Sequence, residues 1–251
     1  MPTTPHLEVR NLRMTYDETI IQENLNFSVQ KGEIFIIMGG SGCGKSTLLR
    51  HLIGLMKPAT GDIFITGVNL WQVSPEERDQ IISHNGVLYQ GGALWSSMTL
   101  GENIALPLAE YSNLNQKQIK EVTAYKLSLV GLGGFEDYYP AEISGGMRKR
   151  AGLARAMALD PEILFFDEPS AGLDPVSSRL LDDLIIELRD SLGTTIIIVS
   201  HELESIFNVG DSAIFLDSDE KTMIATGSPK GLLKHCDDQR VLNFLTRTTC
   251  R

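Results

Sequence analysis

Residues 39–47 read GGSGCGKST, and what flanks them restricts the folds open to this chain. Before them stands IFIIM, residues 34–38, a continuous apolar run of the kind a strand buried on both faces requires. After them, KSTLLRHLIGLM places Leu48, Leu49, Leu52, Ile53 and Met56 on one face of a helix. Gly39, Gly44, Lys45 and Ser46 therefore match a phosphate-binding loop in its required setting between strand and helix. The expected cradle comprises Gly39, Gly40, Ser41, Gly42, Cys43, Gly44, Lys45, Ser46 and Thr47, whose backbone N–H groups curl around the α- and β-phosphates of a nucleotide. Lys45 reaches the β- and γ-phosphates, and Ser46 ligates Mg²⁺.

Two more apolar runs, EILFFDE at 162–168 and TTIIIVSH at 194–201, end in polar residues as buried strands do on reaching a site. Asp167 is placed to hold magnesium through its water shell, and Glu168 beside it to polarise an attacking water. Acidic pairs after strands are also common caps, so this pair takes its meaning from the loop upstream. NLNFSVQ alternates Leu25, Phe27 and Val29 with polar residues, a strand with one wet face, which implies antiparallel sheet at the edge and parallel sheet inside. Between Gly91 and Glu142 no such strand occurs, and NQKQIKEVTAYKLSLVGL has helical patterning. AIFLDSDEKTMIATG reads as a hairpin with a charged tip, and DDQRVLNFLTR as a short helix. The expected architecture is α/β: a P-loop NTPase core with a mixed sheet, an antiparallel β edge subdomain and an inserted α-helical subdomain. In a single nucleotide-binding domain over 1–251, residues 1–90 and 151–251 form the core with its β subdomain, and 91–150 form the helical subdomain.

Composition removes several alternatives. A net charge of −10 over 251 residues, with no run of five Lys or Arg, disfavours nucleic acid as a partner. The opening MPTTPHLEVR carries no basic-then-apolar leader, and no stretch nears the roughly 18 apolar residues of a membrane span, so a cytosolic chain is expected. Cys43, Cys236 and Cys250 form no CxxC pair, which favours reduced thiols over a disulfide framework or zinc site. Cys43 has two readings: a reactive thiolate favoured by Lys45 and the helix N-terminus, or a small buried side chain that is inert.

One segment remains unexplained by a single nucleotide site: EISGGMRKR, residues 142–150, with a second glycine pair and three basic residues in four positions. The P-loop, ISGGM and FFDEP in this order resemble the ATP-binding cassette ATPases over almost the whole chain. That resemblance implies two cassettes packed head to tail, with Ser144, Gly145 and Gly146 closing over the γ-phosphate held by the other subunit's P-loop. Arg148, Lys149 and Arg150 read better as a solvated basic face of the following helix than as phosphate ligands. Tyr16 in MTYDE resembles the aromatic that stacks on adenine, and is equally readable as a strand aromatic. Gln90 in LYQGGALW resembles the glutamine that touches magnesium, His201 the switch histidine at the γ-phosphate, and Asp174 in AGLD the acidic member of the loop exchanged between cassettes. Lys45, Glu168 and His201 are thus the implied catalytic residues, with ATP and Mg²⁺ as cofactors. Ile143 stands where leucine is usual and Met147 where glutamine is usual; both leave the Ser-Gly-Gly phosphate contact intact, and the second bears on any side-chain contact to the ribose.

Within the family, YQGGALW, MTLGENIALPL and ISGGMRKRAGLARA look similar to the Mla-type ATPases that energise phospholipid transport with MCE proteins. The resemblance implies an ATPase coupled to transmembrane transport, at the cytoplasmic face of the inner (plasma) membrane. Its implied partners are a second cassette, integral-membrane permease subunits, an MCE-type substrate-binding protein and a small regulatory subunit. Leu94, Trp95, Met98 and Leu100 lie where the family forms its groove for a permease helix, though each singly suits subdomain core. A soluble cassette that remodels a ribosome or DNA is the reading from another class. The short stretch between the P-loop and ISGGM has no room for the long coiled-coil insertion such proteins carry. A transporter of another small molecule stays open, and a nucleotide sensor without turnover is disfavoured by the presence of both Glu168 and His201.

Overall fold

In the computed structural model, which describes residues 4–248, the chain builds two sheets. The strands are β1 (Leu7–Tyr16), β2 (Thr19–Val29), β3 (Ile34–Gly39), β4 (Thr60–Ile65), β5 (Val68–Asn69), β6 (Asn85–Leu88), β7 (Ile163–Asp167), β8 (Thr195–Val199), β9 (Ser212–Asp217) and β10 (Thr222–Gly227). The helices are α1 (Lys45–Leu52), α2 (Pro75–Ser83), α3 (Leu100–Tyr111), α4 (Gln116–Leu129), α5 (Gly145–Ala156), α6 (Pro175–Leu192), α7 (Leu203–Val209), α8 (Pro229–His235) and α9 (Gln239–Thr246). A six-stranded mixed sheet has the order β10-β9-β3-β8-β7-β6, parallel except for the β9–β10 hairpin. The antiparallel strands form their own four-stranded sheet, β2-β1-β4-β5.

The apolar runs become central strands because alternate residues serve different cores. Ile34, Ile36 and Met38 of β3 join Leu164 and Phe166 of β7 on one face, under α5 and α6. Phe35, Ile37, Ile163 and Phe165 face the other way, toward α1 and the antiparallel sheet. A strand covered on both sides needs apolar residues at every position, which is why these segments do not alternate. In β2, which has one wet face, Leu25 and Val29 are buried and Phe27 stacks on Phe35 with ring centroids 5.3 Å apart. Between β6 and β7 the chain is helical: α3 and α4 begin with capping boxes at Thr99 and Asn115, and α5 is capped by Ser144.

One boundary differs from expectation. The helix after the P-loop ends at Leu52, so Met56, read as part of its apolar face, lies outside it and is half-buried. Gly54 takes φ +76°, Gly54 N–H donates to His51 O at 3.1 Å and Leu55 N–H to Arg50 O at 2.9 Å. This pair of bonds with a left-handed glycine is the Schellman stop, and it ends the helix before the apolar periodicity does.

Buried His6 ties the start of β1 to the core sheet: Nδ1 lies 2.6 Å from Thr195 Oγ1 and Nε2 3.3 Å from Glu162 Oε2. Burial holds its pKa below the ordinary 6.5, as it does for His51, because the imidazolium is poorly solvated there. Both favour the neutral form in the fold, so stability is retained above the unfolded value and lost as pH falls below it. Denaturant titrations should therefore show a lower midpoint at about pH 5.5 than at about pH 7.5, and His6→Gln should flatten the difference. Equal midpoints in the unsubstituted chain would exclude this role.

Candidate functional site

The register of the parallel strands decides where the chemistry collects. Ile37 of β3 pairs with Val199 of β8, which also pairs with Asp167 of β7, while Leu88 of β6 pairs with Phe166. The carboxyl ends of four strands thus finish level, and everything immediately beyond them meets at one edge, where open α/β sheets bind ligands. A cleft of about 650 Å³ lies there, lined by the phosphate loop and Gln90, Glu168, His201 and Phe244.

The loop is shaped for an anion. Gly39 sits at φ +149°, and a Cβ there would stand 2.3 Å from Leu216 O, so the backbone packs too closely for any side chain. At Gly40 and Gly42 an added Cβ would meet nothing within 4 Å, so the mouth of the loop stays open. Gly44 precedes α1, and Lys45 Nζ donates to Gly39 O at 3.0 Å and Gly40 O at 2.8 Å, which places the ammonium across the loop. Ser46 Oγ donates to Asp167 Oδ1 at 3.2 Å, bringing a hydroxyl and a carboxylate together from α1 and β7. These hard oxygen donors, with the Gln90 amide on the same cleft, fit a magnesium ion that keeps several waters.

Glu168 has an unusual setting. Its φ is +51°, a left-handed conformation that non-glycine residues seldom adopt. His201 Nδ1–H donates to Glu168 Oε1 at 2.6 Å. The other carboxylate oxygen, Oε2, is buried and has no hydrogen-bond partner among the described residues. The carboxylate is thus fixed through one oxygen and left without a donor at the other, an arrangement that suits a water-polarising group.

A protein-family model described as ABC transporter matches residues 22–171. The chain belongs to the ABC transporter family. It is 41% identical over 245 residues to a probable ribonucleotide transport ATP-binding protein, mkl, of Mycobacterium leprae, covering 98% of this chain and 70% of that protein. It is 40% identical over 239 residues to the intermembrane phospholipid transport system ATP-binding protein MlaF of Haemophilus influenzae, covering 95% of this chain and 89% of the relative. Among solved structures, cbiO1 of Clostridium perfringens, part of an ABC transporter complex, superposes with a TM-score of 0.85 at 27% identity, covering 98% and 97% of the two chains. A dimeric ATP-binding cassette in a post-hydrolysis state with ADP and Pi superposes with a TM-score of 0.78 at 26% identity, over 88% of this chain and 98% of that one. The chain is accordingly an ATP-binding subunit and an ATPase of the transport family.

Against that family the remaining residues can be placed. Tyr16 ends β1, 65% exposed, and does not line the cleft. Ser144 caps α5, its Oγ accepting from Met147 N–H at 3.2 Å, and Ser144, Gly145 and Gly146 all lie outside the cleft that holds the P-loop. Asp174 caps α6, accepting from Val176 and Ser177 N–H at 3.1 and 3.0 Å; its hydrogen bonds to Ser177 hold the carboxyl below the usual range. Met147 packs against the core cluster. No helix among the described residues is long and apolar enough to cross a membrane.

Of the three basic residues after Gly145 and Gly146, Lys149 does not belong to a solvated face. Lys149 is buried at 6% exposure, Arg148 Nη1 donates to Ile143 O at 2.9 Å, and Arg150 Nη1 to Val130 O at 2.9 Å. Only Lys149 is turned inward, a requirement that charge patterning cannot express; Arg148 stays exposed and Arg150 half-buried. Cys43 is likewise turned in: it is 2% exposed, its side chain does not line the cleft, and burial raises its thiol pKa against the pull of Lys45. The reactive-thiolate reading is corrected by that burial. Brief maleimide treatment should leave Cys43 unlabelled with and without Mg-ATP, while half-buried Cys236 reacts; rapid labelling of Cys43 would contradict its placement. Cys250 lies outside the described residues.

A second cleft, about 730 Å³, opens between the helical segment and the core, lined by Trp95, Leu106, Pro107, Tyr111 and Arg155 among others. Of the four residues singled out there by sequence, Leu100 is core and Leu94 packs partly against it, whereas Trp95 is 59% exposed on the cleft wall. Met98 is half-buried. Arg155 supports that wall, donating to Ala93 O at 2.7 Å and Gly92 O at 3.2 Å. Arg155 and Phe244 escaped sequence reasoning because no motif marks either one.

Proposed function

We propose that the chain is the ATP-hydrolysing subunit of a phospholipid transporter of the Mla type, acting as a homodimer beneath a separate membrane permease. The observation that carries this reading is the split of the nucleotide machinery. Lys45, Ser46, Glu168 and His201 share one cleft, with Asp167 hydrogen-bonded to Ser46 beside it, whereas Ser144, Gly145 and Gly146, at a helix N-terminus suited to an anion, stand outside it. Two copies arranged head to tail would join each half to the other's complement, and a solved relative is described as a dimeric cassette.

In this reading Lys45 and the loop N–H groups hold the phosphates in line. Glu168 takes the proton of the attacking water while His201 fixes the carboxylate through Oε1. Ser46, Gln90 and Asp167 would hold Mg²⁺, which supplies charge neutralisation at the β- and γ-phosphates. Tyr16 stacks on adenine, and Asp174 belongs to the loop exchanged between cassettes. In the same reading, a core over 1–90 and 151–251 would bind nucleotide, and 91–150 would present the signature. The cleft with exposed Trp95 suits a cytoplasmic helix of the permease, and in this reading the chain sits peripherally on the inner membrane.

Phospholipid is favoured by the match to MlaF across 89% of its length and by the MTLGENIALPL segment. That choice brings an MCE-type protein and a small regulatory subunit as further partners. The relative named for ribonucleotide transport supplies the competing substrate. Purifying the chain with its membrane complex and identifying the bound small molecule by mass spectrometry tests the assignment. Bound phospholipid is expected; a bound ribonucleotide other than the ATP, or a complex without any permease, would overturn it.

A further inference from the structure

We infer that Lys149 is a positioning residue for Glu168, clamping the strained backbone on which that carboxylate is carried. The inference rests on the catalytic reading of Glu168 given above. Lys149 lies one turn into α5, and its Nζ donates to the carbonyl oxygen of Glu168 at 3.2 Å. The side chain is 6% exposed, and a buried ammonium is retained only where something compensates its lost hydration. Burial lowers its pKa, opposed by the charges of Glu168 first and Asp167 second, so the ammonium serves this one corner of the cleft.

The corner needs holding. Glu168 adopts φ +51° without the freedom of glycine, and such a conformation persists only when its neighbours over-determine it. Three hydrogen bonds do so: Glu168 N–H donates to Val199 O at 2.9 Å, and Glu168 O accepts from Ala171 N–H at 3.2 Å and from Lys149. The first two come from the adjacent strand and the following turn, elements any strand end would supply. The Lys149 bond comes from α5, and its donor is charged, the stronger kind of hydrogen bond. It is also the link that ties the helix beginning at Ser144–Gly146 to the glutamate of its own chain, so in a head-to-tail dimer one helix touches both nucleotide sites. Sequence reasoning had no access to this contact, since Lys149 and Glu168 are brought together only by the docking of α5 on the core sheet beside β6.

The test uses the assembled ATPase. Lys149→Met, which keeps the apolar stem and removes the donor, should lower kcat about ten- to a hundredfold while KM for ATP changes by less than about twofold. Lys149→Arg, which restores a charged donor, should recover most of that loss. Adding Lys149→Met to Glu168→Gln should cost nothing further, because a residue acting through Glu168 has no effect once the carboxylate is gone. Wild-type kcat in Lys149→Met, with Glu168→Gln inactive, overturns the positioning role and leaves the catalytic reading standing. An additional loss in the double variant, or a fall in kcat that Lys149→Arg does not relieve, also overturns it by pointing to bulk packing instead. Normal turnover in Glu168→Gln removes the catalytic reading and the positioning role together.

Discussion

Glu168→Gln is expected to leave ATP binding intact and to lower hydrolysis by about 10²- to 10⁴-fold, the range lost with a general base. The substitution keeps the size of the side chain, so the left-handed backbone at 168 and its bonds to Val199 and Ala171 need not move. What disappears is the carboxylate, since an amide in its place has no basic oxygen pair to take a proton from water. Nucleotide contacts through Gly39–Thr47 are untouched, so ATP should accumulate and a closed dimer should be trapped. Single-turnover hydrolysis and equilibrium nucleotide binding, measured side by side, provide the check. Near-normal turnover would remove Glu168 from the chemistry. Lys45→Ala should behave differently, weakening nucleotide binding itself, because the ammonium that lies across the loop would face bound phosphates.

Gly145→Asp should abolish dimer closure and hydrolysis while leaving the isolated chain folded and able to bind ATP. The structure makes this position a clean test. A Cβ at Gly145 would meet nothing nearer than Arg148 Nη2 at 3.8 Å, an ordinary contact, whereas at Gly146 it would press on Ser177 Oγ at 3.1 Å and Cβ at 3.2 Å. The new carboxylate therefore disturbs little within its own chain, yet it would face the γ-phosphate of the nucleotide on the partner cassette. Juxtaposed like charges cost several kcal/mol, which corresponds to at least about 10²-fold in turnover. Thermal unfolding of the isolated chain, ATP binding and ATP-dependent dimerisation separate the two sites. A variant that still dimerises and hydrolyses ATP at the original rate would make ISGGM no more than a helix cap.

How much of this was legible in advance varied with the range of the interactions involved. The antiparallel β2, the hairpin of β9 and β10, and the short α9 follow from patterns local to each segment: alternation, a charged tip, one apolar stripe. The end of α1 was misread because periodicity continues to Met56 while Gly54 has already turned the backbone, and a left-handed stop overrides an apolar stripe. The burial of Lys149 within the basic run is hidden for a different reason. Charge patterning assumes that charges seek water, and Lys149 instead satisfies a carbonyl oxygen that becomes reachable only once α5 is docked.

By itself the sequence determined the nucleotide-binding class of this protein. A phosphate loop must follow a buried strand and open a helix, and the residue types at 34–52 admit no other arrangement. It also determined which central strands are covered on both faces, because unbroken apolar runs are unstable anywhere else. Tertiary structure alone decided which residues share the cleft and which way they point. The level ends of β3, β6, β7 and β8 bring Gln90, Asp167, Glu168 and His201 to the loop, and that register is a property of pairing between distant segments. Packing likewise decided that Cys43 faces the core, that Phe244 arrives from α9 on the cleft wall, and that Lys149 reaches Glu168. Each depends on where an element docks, which no window of the chain encodes on its own.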